Sequence, residues 1–314
     1  MESQAYCQAS QGEGPGKKMD EQSRKVPRPS GFLRGKRTPL RRLFALGFAL
    51  VNRVIDMVPF SRFLHGLSWK QLEISRVDMK VLPSGSPFEG LTIAFLSDLH
   101  AGLCMNEKDL CEVFGRVSAL SPDLVCLGGD LINTREREIL LFRKPLKMIR
   151  PPLGVFSVPG NHDHFWGEDI GLWESFLEGQ GVRVLKNRGI HITKGGDSLY
   201  LAGVDDLTEG VPSLEAALKG RKVGELTILL SHHPDFFFEA AACEVDVTLS
   251  GHTHGGQIRL FGWSPIQHSK FGWLSGEYHL EGAKLYVGRG VGTTAIPLRF
   301  GTRAEIPFIR LVQK

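Results

Sequence analysis

Five times in this chain a short apolar run breaks off into Gly, Asp, Asn or His, and this repeated device limits the available folds more than any other feature. Residues 91–96 run into Ser97-Asp98-Leu99-His100, and residues 124–127 into Gly128-Gly129-Asp130. Residues 155–158 lead to Gly160-Asn161-His162-Asp163, residues 227–230 to Ser231-His232-His233-Pro234, and the last run ends in Ser250-Gly251-His252-Thr253-His254-Gly255-Gly256. Runs of four to six residues rich in Val, Ile, Leu and Phe read as strands buried on both faces rather than as helices. Each polar cluster therefore hangs off the carboxyl end of a strand, where α/β sheets place their sites. In the last cluster two imidazoles stand two residues apart in an extended turn, a spacing that aims both into one pocket at different points.

The segments between the runs fit an α/β chain of 314 residues, long enough for one large domain of two or more layers or for two smaller ones. Residues 70–82 alternate as an opening strand. Residues 106–120 read as a helix with Asn106 as N-cap and Leu110, Val113, Phe114 and Val117 on one face. Strand, helix and strand in succession predict a parallel βαβ unit. Residues 135–149 are expected to be helical up to the prolines at 151 and 152, and 173–177 and 213–218 give shorter helices. Residues 182–185, 190–193 and 199–204 are closely spaced strand candidates joined by Gly-rich turns, predicting a second sheet of antiparallel character. Residues 257–312 read as short strands and loops rich in aromatics.

Charge divides the chain. Residues 1–66 hold twelve Lys/Arg against five Asp/Glu, or +7, which leaves −3 for the remainder. Residues 1–38 are Gly, Pro, Ser, Gln, Lys and Arg, too poor in apolar groups to offset the entropy of ordering, and are expected to be a disordered basic arm. Residues 39–66 form the next unit: 40–58 lie between Pro39 and Pro59 and place Leu43, Phe44, Leu50, Val51, Val54 and Ile55 on one broad helical face. The uninterrupted apolar stretch is far shorter than the ~20 residues that span a bilayer. Three readings stay open: an interfacial helix on anionic lipid at the cytoplasmic face of an inner membrane, a helix packed on its own domain, and a twin-arginine export signal built on Arg41-Arg42-Leu43-Phe44. The arm lacks interleaved aromatics, so a membrane surface is preferred to nucleic acid as its partner. Five cysteines are odd in number and lack paired short spacing, which suggests neither a disulfide framework nor a thiolate zinc site.

The strand ends together supply Asp98, His100, Asp130, Asn161, His162, Asp163, His232, His233, His252 and His254. Carboxylate, amide oxygen and imidazole without sulfur suit Mn, Fe or Zn. Ten candidates exceed the needs of one ion, and a carboxylate such as Asp130 can bridge two. Two cations roughly 3.5–4 Å apart form a clamp suited to hydrolysis of a phosphate ester or anhydride.

In this order and on these strands, Asp98-x-His100, Gly129-Asp130, Gly160-Asn161-His162-Asp163, His232 and Gly251-His252-x-His254 resemble the calcineurin-like metallophosphoesterases, over residues 67–314. The resemblance implies a four-layer α/β/β/α sandwich with two divalent ions, Mn first and Fe or Zn as alternatives. It assigns Asp98, His100 and His254 to one ion, Asn161, His232 and His252 to the other, and Asp130 to both. It makes His162 the general acid, paired with Asp163, which orients its ring. Ser-Asp-Leu-His, Gly-His-Thr-His-Gly-Gly-Gln-Ile and the tail over 288–301 are similar to a bacterial branch of phosphodiesterases of the YkuE and YaeI type. That branch also includes UDP-2,3-diacylglucosamine pyrophosphatases of lipid A synthesis. A phosphorylated lipid or nucleotide-linked substrate at a membrane is thus the leading expectation. A soluble phosphodiesterase or phosphatase of broad range and a metal-dependent interaction scaffold are the rivals.

Other residues leave two readings each. Arg289 and Arg299 sit among glycines and are candidates to grip phosphate oxygens, or are structural. Phe261, Trp263, Phe271, Trp273 and Tyr278 form either an apolar wall for the substrate or ordinary core. His164 either lines the pocket or lies in a surface loop, and Asp205-Asp206 could support the site from behind.

Overall fold

The computed structural model describes residues 63–64, 66, 68–102, 105–164, 170–261, 263–264 and 268–314. The basic arm and nearly all of the amphipathic stretch lie outside the described residues.

Continuous apolar runs fold as strands whose alternate side chains need cover on both faces, and this chain supplies that cover with two sheets and two helical layers. The first sheet has the order β1 (Glu73–Leu82), β12 (Glu305–Gln313), β2 (Thr92–Leu96), β3 (Leu124–Leu127), β4 (Val155–Ser157) and β5 (Val182–Val184). In it β12 runs antiparallel to β2, while β2 to β5 are parallel. The second sheet has the order β10 (Gly276–Leu280), β11 (Ala283–Val287), β9 (Val247–Ser250), β8 (Thr227–Leu230), β7 (Asp197–Gly203) and β6 (Arg188–Lys194). Its four central strands are parallel, and antiparallel pairing is confined to the hairpins at its two edges.

Strand periodicity separates the layers. Ile93, Phe95, Cys126 and Phe156 of the first sheet meet Leu199, Leu201, Ile228, Leu230 and Leu249 of the second in a shared core. Their neighbours Ala94, Leu96, Val125 and Leu127 face outward onto α1 (Glu107–Leu120), α2 (Arg143–Lys147) and α3 (Gly171–Gly179). On the far side Tyr200, Ala202 and Leu229 pack on α4 (Leu214–Ala217) and α5 (Phe237–Ala242). The result is the four-layer α/β/β/α sandwich.

Local signals place most of these elements. Asn106 caps α1 by accepting from the amides of Lys108 and Asp109, and the Asp109 carboxylate returns the bond to the Asn106 amide. Leu110, Val113, Phe114 and Val117 are the buried face of that helix. The long helix expected over 135–149 is instead a 3-10 segment, Glu136–Phe142, followed by the single α-turn of α2. Pro145 explains the break, since it lacks an N–H and is accommodated only in the first turn of a helix. Residues 182–185 also depart from expectation. As β5 they extend the first sheet parallel to β4, because α3 intervenes and makes the connection a crossover. Among the described residues Cys111 and Cys126 are free thiols whereas Cys243 is engaged in a disulfide, a bond that the odd number and spacing of the cysteines did not suggest.

Phe95 lies at the centre of this arrangement: it is fully buried between the sheets, and a methyl group at Gly128 would collide with its ring. Phe95→Ala is expected to cost about 3–5 kcal/mol of unfolding free energy by denaturant titration. Val223→Ala, at a position almost wholly exposed, should stay within about 0.5 kcal/mol of wild type.

Candidate metal centre

Because β2, β3 and β4 are parallel neighbours, as are β8 and β9, the loops that follow them open on one side of the sandwich. Asp98 and His100 follow β2, Asp130 follows β3, Asn161 and His162 follow β4, His232 follows β8, and His252 and His254 follow β9. Five of these residues adopt left-handed backbone: Asp98 (φ 54°), His100 (45°), Asp130 (52°), His252 (71°) and His254 (52°). Asp and His tolerate that region better than most side chains, at a cost of about 1–3 kcal/mol each. A ladder between loops holds them there. The amides of Asp98 and His100 donate to the carbonyls of Gly129 and Asp130, both at 3.0 Å, the Gly292 amide to that of Asp98 at 2.7 Å, and the Gly251 amide to that of His232 at 3.0 Å. Gly160 and Gly251 are required by close approach, since a Cβ at either would collide with the carboxylate of Asp130 or Asp98.

Three groups of donor atoms are compact enough to hold a cation: Asp98, His100 and His254; Asp130, His232 and His252; and, joining the two, His100, Asp130 and His162. His254 Nε2 lies 3.1 Å from His100 Nε2 and 3.5 Å from Asp98 Oδ1. Asp130 Oδ2 is 3.2 Å from His232 Nε2 and 3.6 Å from His100 Nε2. Asn161 Oδ1 approaches His252 Nδ1 at 2.9 Å, which places the amide oxygen beside the second group. The His232 Nδ1–H donates to the Gly128 carbonyl at 2.8 Å, turning Nε2 toward the centre. There Nε2 is buried and has no aligned hydrogen-bond partner. Such a buried, unpaired donor atom, together with a set of oxygen and imidazole ligands, fits a pair of divalent cations, with the distal ring nitrogen anchored as metal-binding histidines require.

Charge in the centre is balanced around Asp130. Burial alone would raise its pKa, yet His232, His162 and His100 outweigh it and hold the carboxyl well below the usual range. For His232 burial acts downward, but Asp130 and then Asp98 push it up to about 10. His100, His252 and His254 are held well below the imidazole range, first by burial and then by the crowding of neighbouring imidazoles, so their rings are neutral with lone pairs available. Burial raises Asp98 to about 6.

His162 is anchored differently from the expected pairing. Its Nδ1–H donates to the Asn133 carbonyl at 2.6 Å, and its amide donates to Asp130 Oδ1 at 2.8 Å. Asp163 accepts instead from the amides of Leu131, Ile132 and Gly160 at 3.1, 3.2 and 2.9 Å, so it ties the β3 and β4 loops together. The two arginines considered for phosphate are committed elsewhere. Arg299 is buried and donates to the carbonyls of His254, Arg289, Gly290 and Gly292, with Nη2 also 3.3 Å from His254 Nδ1. Arg289 pairs with Glu305 at 3.1 Å and Glu73 at 2.9 Å. Both guanidiniums brace the loop beside the last motif.

His233 sits behind His252, with ring centroids 4.2 Å apart, and its Nδ1 accepts from the Asp235 amide. His164 is buried against Asp205 at 2.7 Å, and Asp206 accepts from the amides of Thr208 and Glu209. Two contributors carried no sequence signal. The Glu138 carboxylate gathers the amides of Asn133, Thr134 and Arg135 at 3.0, 2.8 and 3.0 Å, and so presents the carbonyl that orients His162. His268 is exposed, with its ring 5.4 Å from that of His252.

An α/β/β/α sandwich with this donor set at its strand ends defines a dinuclear-metal hydrolase of phosphoester or anhydride bonds. Residues 91–256 match the family model of calcineurin-like phosphoesterases. The chain is 32% identical over 244 residues to the uncharacterized metallophosphoesterase YkuE of Bacillus subtilis, covering 75% of this chain and 83% of that protein. It is 32% identical over 291 residues to an uncharacterized metallophosphoesterase of Helicobacter pylori, with 90% and 74% coverage. To a transmembrane protein with metallophosphoesterase domain from Danio rerio it is 31% identical over 250 residues, with 76% and 56% coverage. The chain belongs to the calcineurin-like phosphoesterase family.

Two outcomes follow from this geometry. In the metal-free protein the raised His232 contributes stability that is fully present below its ordinary value of 6.5 and is lost as pH rises through about 10. A cation must displace that proton. Calorimetry of Mn²⁺ binding near neutral pH, in buffers of different ionisation enthalpy, should therefore report proton release and tighter binding as pH rises. Asp163→Asn places an amide NH₂ against backbone N–H donors. It should lower unfolding free energy by about 1–3 kcal/mol without moving the alkaline limb of the kcat profile, which an orienting partner of the general acid His162 would move.

Proposed function

We propose that the protein is a Mn²⁺-dependent phosphodiesterase or phosphatase, and that the observation carrying this reading is the Asp130 carboxylate shared between two compact groups of ligands. Bound there, two divalent cations would polarise the phosphoryl oxygens and lower the pKa of water. The chain's own groups do the rest. Asp98, His100 and His254 would hold one ion and Asn161, His232 and His252 the other, with Asp130 common to both. The Asn133 carbonyl fixes the His162 Nδ1–H, so Nε2 is the atom that delivers a proton to the leaving oxygen. The complete donor set favours catalysis over a binding scaffold.

The finer reading, a UDP-2,3-diacylglucosamine pyrophosphatase, draws no support from Arg289 and Arg299, the two candidates to grip phosphate oxygens, since both are engaged internally. The proposal therefore rests on phosphoester chemistry, and the lipid-linked nucleotide is one substrate to assay. Membrane proximity belongs to the proposal as well. It is supported by the +7 front end, by the apolar face of residues 40–58, and by the likeness to a transmembrane protein with metallophosphoesterase domain of Danio rerio. Among the described residues no helix is long and apolar enough to cross a membrane.

Purified protein with Mn²⁺ should hydrolyse bis(p-nitrophenyl) phosphate, and Asp130→Ala should abolish both turnover and two-metal loading. His162→Ala should keep both metals by elemental analysis while slowing turnover by roughly 10²–10⁴. Loss of metal in that variant would overturn its role as acid, and absence of turnover in the wild type with nucleotide diesters and UDP-diacylglucosamine alike would overturn the proposal.

A further inference from the structure

Of the aromatic residues grouped after the last motif, Phe271, Trp273 and Tyr278 form a packed cluster with Phe237 and Phe238. Phe261 and Trp263 do not join it. Leu260 and Trp263 exchange both backbone hydrogen bonds, at 2.8 and 2.9 Å, closing a hairpin with Phe261 at its tip. Phe261 is fully exposed and has a left-handed backbone (φ 50°), a conformation that bulky side chains rarely take. Leu260 and Trp263 are 48% and 63% exposed.

The hairpin stands in a wider apolar surface. The Arg259 amide donates to the Phe300 carbonyl at 2.7 Å and the Phe300 amide to that of Gln257 at 3.0 Å, bringing exposed Phe300 alongside. Gln257 Nε2 also donates to the carbonyls of Thr294 and Ile296, which fastens exposed Ile296 to the same edge. This surface begins three residues after His254, and Ser264 Oγ bonds back to the Gly256 carbonyl at 2.9 Å. It is thus tied to the turn that carries two metal ligands.

We propose that the Leu260–Trp263 hairpin, with Ile296 and Phe300, is a docking surface that sets the mouth of the metal centre against an anionic lipid bilayer. This rests on the membrane placement given above and names the face that makes it. Shape argues for lipid, since the tip projects outward, and a projecting aromatic can enter the headgroup layer, whereas a packed helix would need a groove. Leu, Phe and Trp are residues that settle at that depth. Charge agrees: residues 255–270 and 288–303 contain no Asp or Glu, and apart from the buried Arg299 and the Glu-paired Arg289 they carry Arg259, Lys270 and Arg303. The chain's course agrees too. The Arg299 amide donates to Ser68 Oγ at 3.0 Å, next to Phe300, so the described residues nearest the basic and apolar front end of the sequence lie beside this patch.

The test is sedimentation of the full chain with phosphatidylcholine vesicles, with and without phosphatidylglycerol. Wild type should partition onto the anionic vesicles. Phe261→Ser with Trp263→Ser should partition about 10-fold or more weakly, as expected when two aromatic side chains lose burial, while keeping its metal content and thermal midpoint. Ile296→Ser with Phe300→Ser should weaken partitioning independently of the hairpin, and Val223→Ser should leave it unchanged. If wild type fails to sediment, the membrane placement itself is wrong. If wild type and both paired variants sediment equally, the placement stands and the docking surface is wrong. A lipid-free wild-type dimer that either pair converts to monomer by light scattering would assign the patch to a second copy of this chain and overturn the proposal.

Discussion

One buried carboxylate, that of Asp130, sets the terms for the rest of the molecule. It lies at the end of β3 with His232 and His100 within 3.6 Å and the His162 amide donating to it. A carboxylate so placed is stable only with positive charge beside it, because moving an isolated anion out of water costs far more than a fold can supply. In the metal-free chain a proton on His232 provides that charge. Two divalent cations would provide more, and the neutral rings of His100, His252 and His254 each keep one nitrogen lone pair for a ligand bond. The geometry is thus better matched to cations than to its own metal-free state.

Holding the site in this form requires backbone that the sequence would not adopt unaided. Left-handed conformations at five ligand positions work against folding, and the loops bear them because they are hydrogen-bonded to one another across both sheets. Beneath them, the shared core around Phe95 fixes the separation of the sheets and hence the distance between the β3 and β8 ligands. Arg299 has a comparable structural role at the rim: its guanidinium joins the His254 turn to the 289–292 loop, and burial in carbonyls removes it from contact with substrate.

The strand ends and their donors were legible because each signal is local: a short apolar run, then a cluster whose residue types carry the chemistry. Asn106 and the buried face of α1 were legible for the same reason. What the sequence could not show was which group each long-range hydrogen bond would choose. Asp163 adjoins His162 in the chain, yet three amides take its oxygens, and a backbone carbonyl presented through Glu138 holds the ring. A carbonyl has no signature in a sequence, and neither does the carboxylate that positions it. Arginines among glycines read alike whether they face a ligand or the protein's own backbone. The placement of β5 failed for a topological reason, since a three-residue strand carries too little pattern to name its sheet.

The central claim is that two cations share Asp130. Electron paramagnetic resonance of the protein loaded to saturation with Mn²⁺ tests it directly, since ions roughly 3.5–4 Å apart on a common carboxylate are magnetically coupled. The account predicts an exchange-coupled dinuclear signal at full loading. A spectrum of isolated, uncoupled Mn²⁺ at saturation would contradict it.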